Sequence, residues 1–298
     1  MQKTLFNLFP FILLLLLVVM WGSAFAALKV SLTTIPPLWV MLSRMIIGSL
    51  TIATVFLFLK KKLPLTIQFW KWSFLIGFLG FSIPFSAISW GAQYIPSSLV
   101  AILMGANPII TLLLSHFFLT NSRMSLRMVG GVIVGAIGII LLIGFGNLQY
   151  NASWEQFIFG QLAVLSGTFS FALASVIIKN SPQEDLFERS LGSLICGSLI
   201  GFLIVYFLSK SPVMLEGISL ISIFNVCLLG IFPTGVATII WFKVIALKGP
   251  MFLSLVNYLI PIWALILGVL LLNEKVDFII GFGLIFITIG LWLIEKKN

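Results

Sequence analysis

Four prolines, Pro84, Pro108, Pro233 and Pro261, fall inside long apolar stretches, and polar side chains gather close to each of them. Ser82, Ser86, Ser89 and Gln93 recur at i, i+4, i+7 and i+11, a spacing that lines one face of a helix, with Trp90 beside it. Thr234, Thr238 and Trp241 make a shorter stripe of the same kind, Asn107 and Thr111 stand four apart, and Asn257 and Tyr258 lie just ahead of Pro261. Trp21, Ser23, Ser166 and Ser170 add an indole and three hydroxyls from two further stretches. An internal proline removes a backbone hydrogen bond and frees a carbonyl, which must find a partner in protein or in cavity water. Hydroxyls, amides and indoles collected around such breaks suit a small uncharged, zwitterionic or amphipathic solute, its polar end held by hydroxyls and amides and its apolar part by the rings. The candidate substrate-binding residues are Trp21, Ser23, Ser86, Ser89, Trp90, Asn107, Thr111, Ser170, Thr238, Trp241, Asn257 and Tyr258. The competing reading of the hydroxyls is glue between helices, whereas an amide such as Asn107 or Asn257 has more hydrogen-bonding groups to satisfy.

Other chemistry has little to work with. Eight acidic residues and one histidine leave almost no acid–base set, so an enzyme is not expected. Cys196 and Cys227 sit in apolar runs away from any histidine and read as packing residues, so neither a metal nor a cofactor is expected. No Asp or Glu lies deep in an apolar stretch to neutralise a strongly cationic solute. His116 is open to two readings, a proton relay or substrate contact, and the hydrogen-bonded packing role more common for a lone histidine. Arg44 is the one formal charge deep in a stretch, where it costs about 2.5–3.5 kcal/mol on insertion scales. It either attracts a substrate carboxylate or is a structural arginine, bonded to kinked-helix carbonyls or snorkelling toward water, and the second reading is favoured.

The elements that must position these groups follow from composition. Of 298 residues 60% are apolar and only 8% charged, and the mean hydropathy is +1.21, which excludes a soluble globule and makes this an all-α membrane protein. A spanning helix needs about 20 apolar residues. Ten stretches qualify, near 9–30, 36–59, 71–93, 97–119, 125–146, 157–179, 188–208, 218–243, 250–272 and 277–294. The first has a rival reading as a signal peptide, with Lys3 ahead of it and Ala24-Phe25-Ala26 as a cleavage site. With the N-terminus in the cytoplasm, thirteen Lys and Arg fall inside and only Lys29, Lys210 and Lys275 outside, so a multi-pass protein of the inner or plasma membrane with both termini cytoplasmic is expected. The basic residues are scattered singly, so nucleic acid is not an expected partner; the partners expected are a small-molecule substrate and the bilayer. The sequon Asn151-Ala152-Ser153 is too common a pattern to carry weight.

The chain also repeats itself at a shift of about 150 residues. Pro108 aligns with Pro261, the Gly131–Gly138 pair with Gly283–Gly290, Trp90 with Trp241, and the run from Trp21 to Lys29 with that from Phe171 to Lys179. Halves of five helices each enter the bilayer from opposite sides, so residues 1–148 and 156–298 are expected to form two inverted five-helix repeats, the architecture of alternating access. The small-residue pairs Gly131/Gly135 and Gly283/Gly290 predict close helix packing, within a monomer or between protomers of a homodimer.

On the segment Trp21-Gly22-Ser23-Ala24-Phe25, the Asn107-Pro108 and Ile260-Pro261 sites and the Asn273-Glu274 turn, the chain resembles the ten-helix EamA family of the drug/metabolite transporter superfamily. The likeness spans nearly the whole chain in two copies. It departs from the family pattern where Asn121 replaces an acidic turn residue in the first half. The resemblance implies a secondary carrier whose cavity is lined by helices 1, 3, 4, 6, 8 and 9. The expected function is therefore a secondary transporter, with efflux of small organic metabolites such as amino acids by alternating access. A membrane-embedded enzyme and a non-transport assembly protein are the alternatives.

Overall fold

A computed structural model describes residues 2–119, 125–142, 153–182, 184–209, 217–254, 256–273 and 278–295. In chain order its helices are α1 (Gln2–Ser31), α2 (Pro37–Phe58), α3 (Ile67–Gly91), α4 (Ser97–Phe118), α5 (Leu126–Leu142), α6 (Trp154–Asn180), α7 (Leu186–Leu208), α8 (Leu220–Lys248), α9 (Val256–Leu272, after a one-turn piece Pro250–Ser254) and α10 (Phe278–Glu295). No strand occurs among the described residues. Seven helices, α1 to α4 and α6 to α8, are long and apolar enough to cross a membrane, and α5, α9 and α10 carry the shorter apolar runs Leu126–Gly138, Leu259–Leu272 and Gly281–Gly290. The chain is a multi-pass membrane protein. Its large exposed apolar side chains, such as Leu57, Phe58, Phe207 and Leu270, have the composition of a lipid-facing surface.

Local chemistry sets several ends. Ser153 forms a capping box at the start of α6, accepting from Gln156 N at 3.2 Å while its own N–H reaches Gln156 Oε1 at 3.0 Å. Of the sequon, then, Ser153 is a helix cap, and Asn151 and Ala152 lie outside the described residues. Asp185 caps α7 by accepting from Phe187 N and Glu188 N. Gly249, at φ +85°, ends α8 in the left-handed conformation that a side chain would resist. The Asn121, Glu274 and Asp277 turn residues lie outside the described residues.

Among the described residues the major helix pairings recur with their numbers advanced by five. α1 packs on α9 as α6 packs on α4; α2 packs on α8 as α7 packs on α3; α3 packs on α6 as α8 packs on α1. The pairings of α2 with α7, α4 with α9 and α5 with α10 join equivalent helices. Glycines allow the closest approaches. A Cβ on Gly290 would lie 2.6 Å from Gly131 O and Gly135 N, so the small-residue stripes of α5 and α10 meet inside one chain.

The first stretch, for which a signal peptide is the rival reading, packs into the bundle: Ala24, Phe25 and Ala26 are all buried and Leu17 is wholly inaccessible. One sequence expectation needs correction. The third stretch ends as a helix at Gly91, so Gln93 leaves the serine stripe, is exposed, and donates from Nε2 to Trp90 O at 3.0 Å.

Candidate functional site

The prolines do not act alike. Pro84 follows the π-helical turn Phe78–Ser82 in α3, whereas Pro233 lies inside the π-helical turn Gly230–Val236 in α8. Pro108 instead opens the second half of α4, which breaks at Gly105–Ala106 into Ser97–Met104 and Asn107–Phe118, and Pro261 stays within continuous α9. A π turn leaves carbonyls that the regular ladder would have used, and side chains reclaim them. Thr234 Oγ1 donates to Leu229 O, the carbonyl that Pro233 cannot serve, at 2.8 Å. Trp21 Nε1 crosses from α1 to Pro233 O at 3.1 Å, and Ser170 Oγ crosses from α6 to Leu79 O at 2.7 Å. Thus α1 is tied to the break in α8, and α6 to the break in α3.

Between the two breaks lies a crevice lined from α1, α2, α3, α4, α6, α8 and α9. One wall is aromatic. Trp241, only 1% exposed, stacks on Phe171 with centroids 4.7 Å apart and planes at 16°, and Phe81 meets Trp241 edge-on at 5.6 Å. Trp21 meets Phe171 edge-on at 5.6 Å. The same lining holds Arg44, the one charged side chain among its described residues. Its Nε donates to Thr234 Oγ1 at 3.0 Å and its Cζ lies 3.9 Å from the Phe85 ring centroid. The structure therefore gives Arg44 a hydroxyl and a ring as partners, not the kink carbonyls expected for it, and sets it in the crevice.

Of the candidate residues, Trp21, Thr238, Trp241 and Asn257 line the crevice. Ser170 supports its wall through the Leu79 carbonyl. Thr238 Oγ1 is a donor to Thr234 O. Ser23 accepts from Trp263 Nε1 at 2.9 Å and borders a separate groove with Asn225 and Leu271. Ser86 donates back to Ser82 O at 2.7 Å, and Ser82 donates across to Gly197 O of α7 at 3.0 Å. Trp90 is 38% exposed and packs on Tyr94, outside the lining. Asn107 Oδ1 accepts from Thr111 Oγ1 at 3.0 Å, both buried and neither among the crevice lining. The side chains of Ser89, Asn107 (through Nδ2) and Trp241 (through Nε1) are buried without a hydrogen-bond partner among the described residues. The Tyr258 side chain lies outside what is described. His116 is exposed near the end of α4, beside Phe117. Sequence reasoning missed Phe81, Phe85 and Phe171, because phenylalanines at helical spacing read as core; the one available signal was the alignment of Phe171 with Trp21.

The two ends differ. Lys29, at the end of α1, donates from Nζ to Ala92 O at 2.8 Å and Ile95 O at 2.9 Å, strapping α1 to the α3–α4 turn. Its repeat counterpart Lys179, at the end of α6, is exposed and borders an open pocket with Lys243 and Ala246 of α8. Near that pocket Lys61 pairs with Asp185, and Arg189 Nη2 pairs with Glu184 at 2.7 Å. Burial alone would raise the Asp185 carboxyl, but the Lys61 hydrogen bond and the Glu188 and Phe187 amides outweigh it and hold it below the ordinary carboxylate value. Burial raises Glu184, against the pull of Arg189.

Comparison with known proteins adds to this geometry. The EamA-like transporter family matches over residues 8–144 and again over 158–295. The chain is 26% identical to the uncharacterized transporter YoaV of Bacillus subtilis over 275 residues, 92% of each chain. It is 25% identical to a probable amino-acid metabolite efflux pump of Escherichia coli over 290 residues, 95% of this chain and 93% of that one. It is also 28% identical to Protein PecM of Dickeya dadantii, covering 82% of this chain and 79% of that one. A solved crystal structure shares the fold at a TM-score of 0.68 and 17% identity, over 96% of both chains.

Proposed function

The chain belongs to the EamA-like transporter family, and from that premise we propose that it exports small organic metabolites, amino acids among them, by alternating access through the central crevice. The observation that carries this reading is the unequal state of two equivalent lysines. Lys29 straps one end of the bundle, while Lys179 is exposed at the other. In two inverted repeats, 1–148 and 156–298, the alternative state exchanges these roles: Lys179 straps α6 to the C-terminal end of α8, at the carbonyls of Lys243 and Ala246 that correspond to Ala92 and Ile95, and Lys29 lets go. The π turns at Pro84 and Pro233 supply matched hinges, since a ladder already interrupted there bends at less cost.

The distribution of Lys and Arg supports ten crossings with both termini in the cytoplasm of an inner or plasma membrane, which makes the strapped Lys29 end exterior. Export and the amino-acid class rest on the relatives in Escherichia coli and Salmonella typhimurium named as probable amino-acid metabolite efflux pumps. Proteoliposomes loaded with labelled amino acids and related metabolites should show saturable, counterflow-stimulated flux. Absence of flux across a broad panel, with the protein shown folded, overturns the proposal.

A further inference from the structure

Charge in the crevice is unbalanced. Its lining contains one cation, Arg44, and no Asp or Glu, and neither ion pair among the described residues includes Arg44. A guanidinium carries five N–H donors, and the hydrogen bond to Thr234 uses the one on Nε. That bond also sets the guanidinium's direction. Thr234 gives its proton to Leu229 O, so a lone pair is what it presents to Nε, while Phe85 holds the plate 3.9 Å from its ring centroid. A positioned guanidinium plate suits the two oxygens of a carboxylate, which it binds by paired hydrogen bonds. In the same lining, the stacked Phe171 and Trp241 rings with Phe81 edge-on offer an apolar wall. Among the described lining residues no carboxylate is present to pair with an ammonium, and Arg44 repels one.

We propose that, within the metabolite class proposed above, this crevice prefers organic monocarboxylates with a flat or branched apolar body over amino acids with the same body, the carboxylate on Arg44 and the body against the Phe171–Trp241 wall. The inference rests on the transport reading for its physiological meaning, but binding tests it separately. Three probes share one ring and differ in a single group: 3-phenylpropionate, phenylalanine and phenethylamine. On the purified protein, 3-phenylpropionate should bind at least tenfold tighter than phenylalanine, and phenethylamine should neither bind nor raise the melting temperature. Arg44→Gln should remove the preference, and Arg44→Lys, which keeps the charge without the fork, should retain part of it. If Arg44→Gln fails to fold, Thr234→Val, which frees the guanidinium to rotate, should weaken 3-phenylpropionate and leave phenylalanine nearly unchanged. Equal or tighter binding of phenylalanine or phenethylamine, undiminished 3-phenylpropionate binding in a folded Arg44→Gln protein, or binding of none of the three overturns the proposal. Arg44-dependent carboxylate binding without flux in proteoliposomes instead sinks the transport reading and leaves the ligand class standing.

Discussion

Replacing Lys29 by Met tests whether the strapped end is a gate. The substitution removes two hydrogen bonds from an ammonium to backbone carbonyls, at 2.8 and 2.9 Å, and leaves the stem length unchanged. Hydrogen bonds to charged groups are worth about 1.5–3 kcal/mol each. When the end opens, however, the ammonium regains water, so the strap's net bias toward the closed end is nearer 1–2 kcal/mol in total. A change of about 1.4 kcal/mol moves a two-state ratio tenfold. Leu28 lines the crevice next to Lys29 and is 2% exposed, which makes it a suitable reporter. In a Cys196→Ala, Cys227→Ala background carrying Leu28→Cys, an impermeant maleimide applied to the face bearing Lys29 should react about tenfold faster after Lys29→Met. Lys179→Met should slow the same reaction, because it weakens the opposite strap. Unchanged labelling in Lys29→Met, or acceleration by both substitutions, refutes the gate.

Three further outcomes follow from the packing and the charges. Gly290→Val drives a side chain into the α5–α10 contact, where overpacking costs about 1–3 kcal/mol and lowers the melting temperature, whereas Gly130→Ala, with open space around it, leaves the melt unchanged or slightly raised. Trp241→Leu should weaken substrate flux about tenfold, roughly one ring-stacking contribution, while Trp90→Leu, outside the crevice lining, changes it less than about twofold; equal losses would contradict the crevice assignment. Asp185 is held below its ordinary value in the folded state, so its stabilising contribution is present above the unfolded value of about 3.9 and disappears as pH falls through the folded one. Thermal melts from pH 7 to pH 3 should show wild type above Asp185→Asn at neutral pH and the two converging in acid; Glu184, whose raised carboxyl acts in the opposite sense, is common to both proteins and cancels.

Membrane embedding was legible in the sequence because a 60% apolar chain with 8% charge has no other solvent in which to fold, and so were most helix spans, since length and hydropathy alone define them. The family could be read from the doubled motifs around Trp21, Pro108 and Pro261. The interior was less legible. Spacing put Ser82, Ser86 and Ser89 on one helical face, yet could not tell a face turned to a ligand from one turned to α7, and Ser82 bonds Gly197 O. Trp90 and Trp241 were equivalent by alignment, but one is 38% exposed and the other is the stacked wall of the crevice. For Arg44 the cost of a buried charge was visible in the sequence, while its partners, the Thr234 hydroxyl and the Phe85 ring, were not. The lysine pair Lys29 and Lys179 was visible as a repeat, but not its asymmetry. A repeat prescribes equivalent positions, but packing need not treat them equally, and only the tertiary contacts show that Lys29 holds the Ala92 and Ile95 carbonyls while Lys179 is exposed.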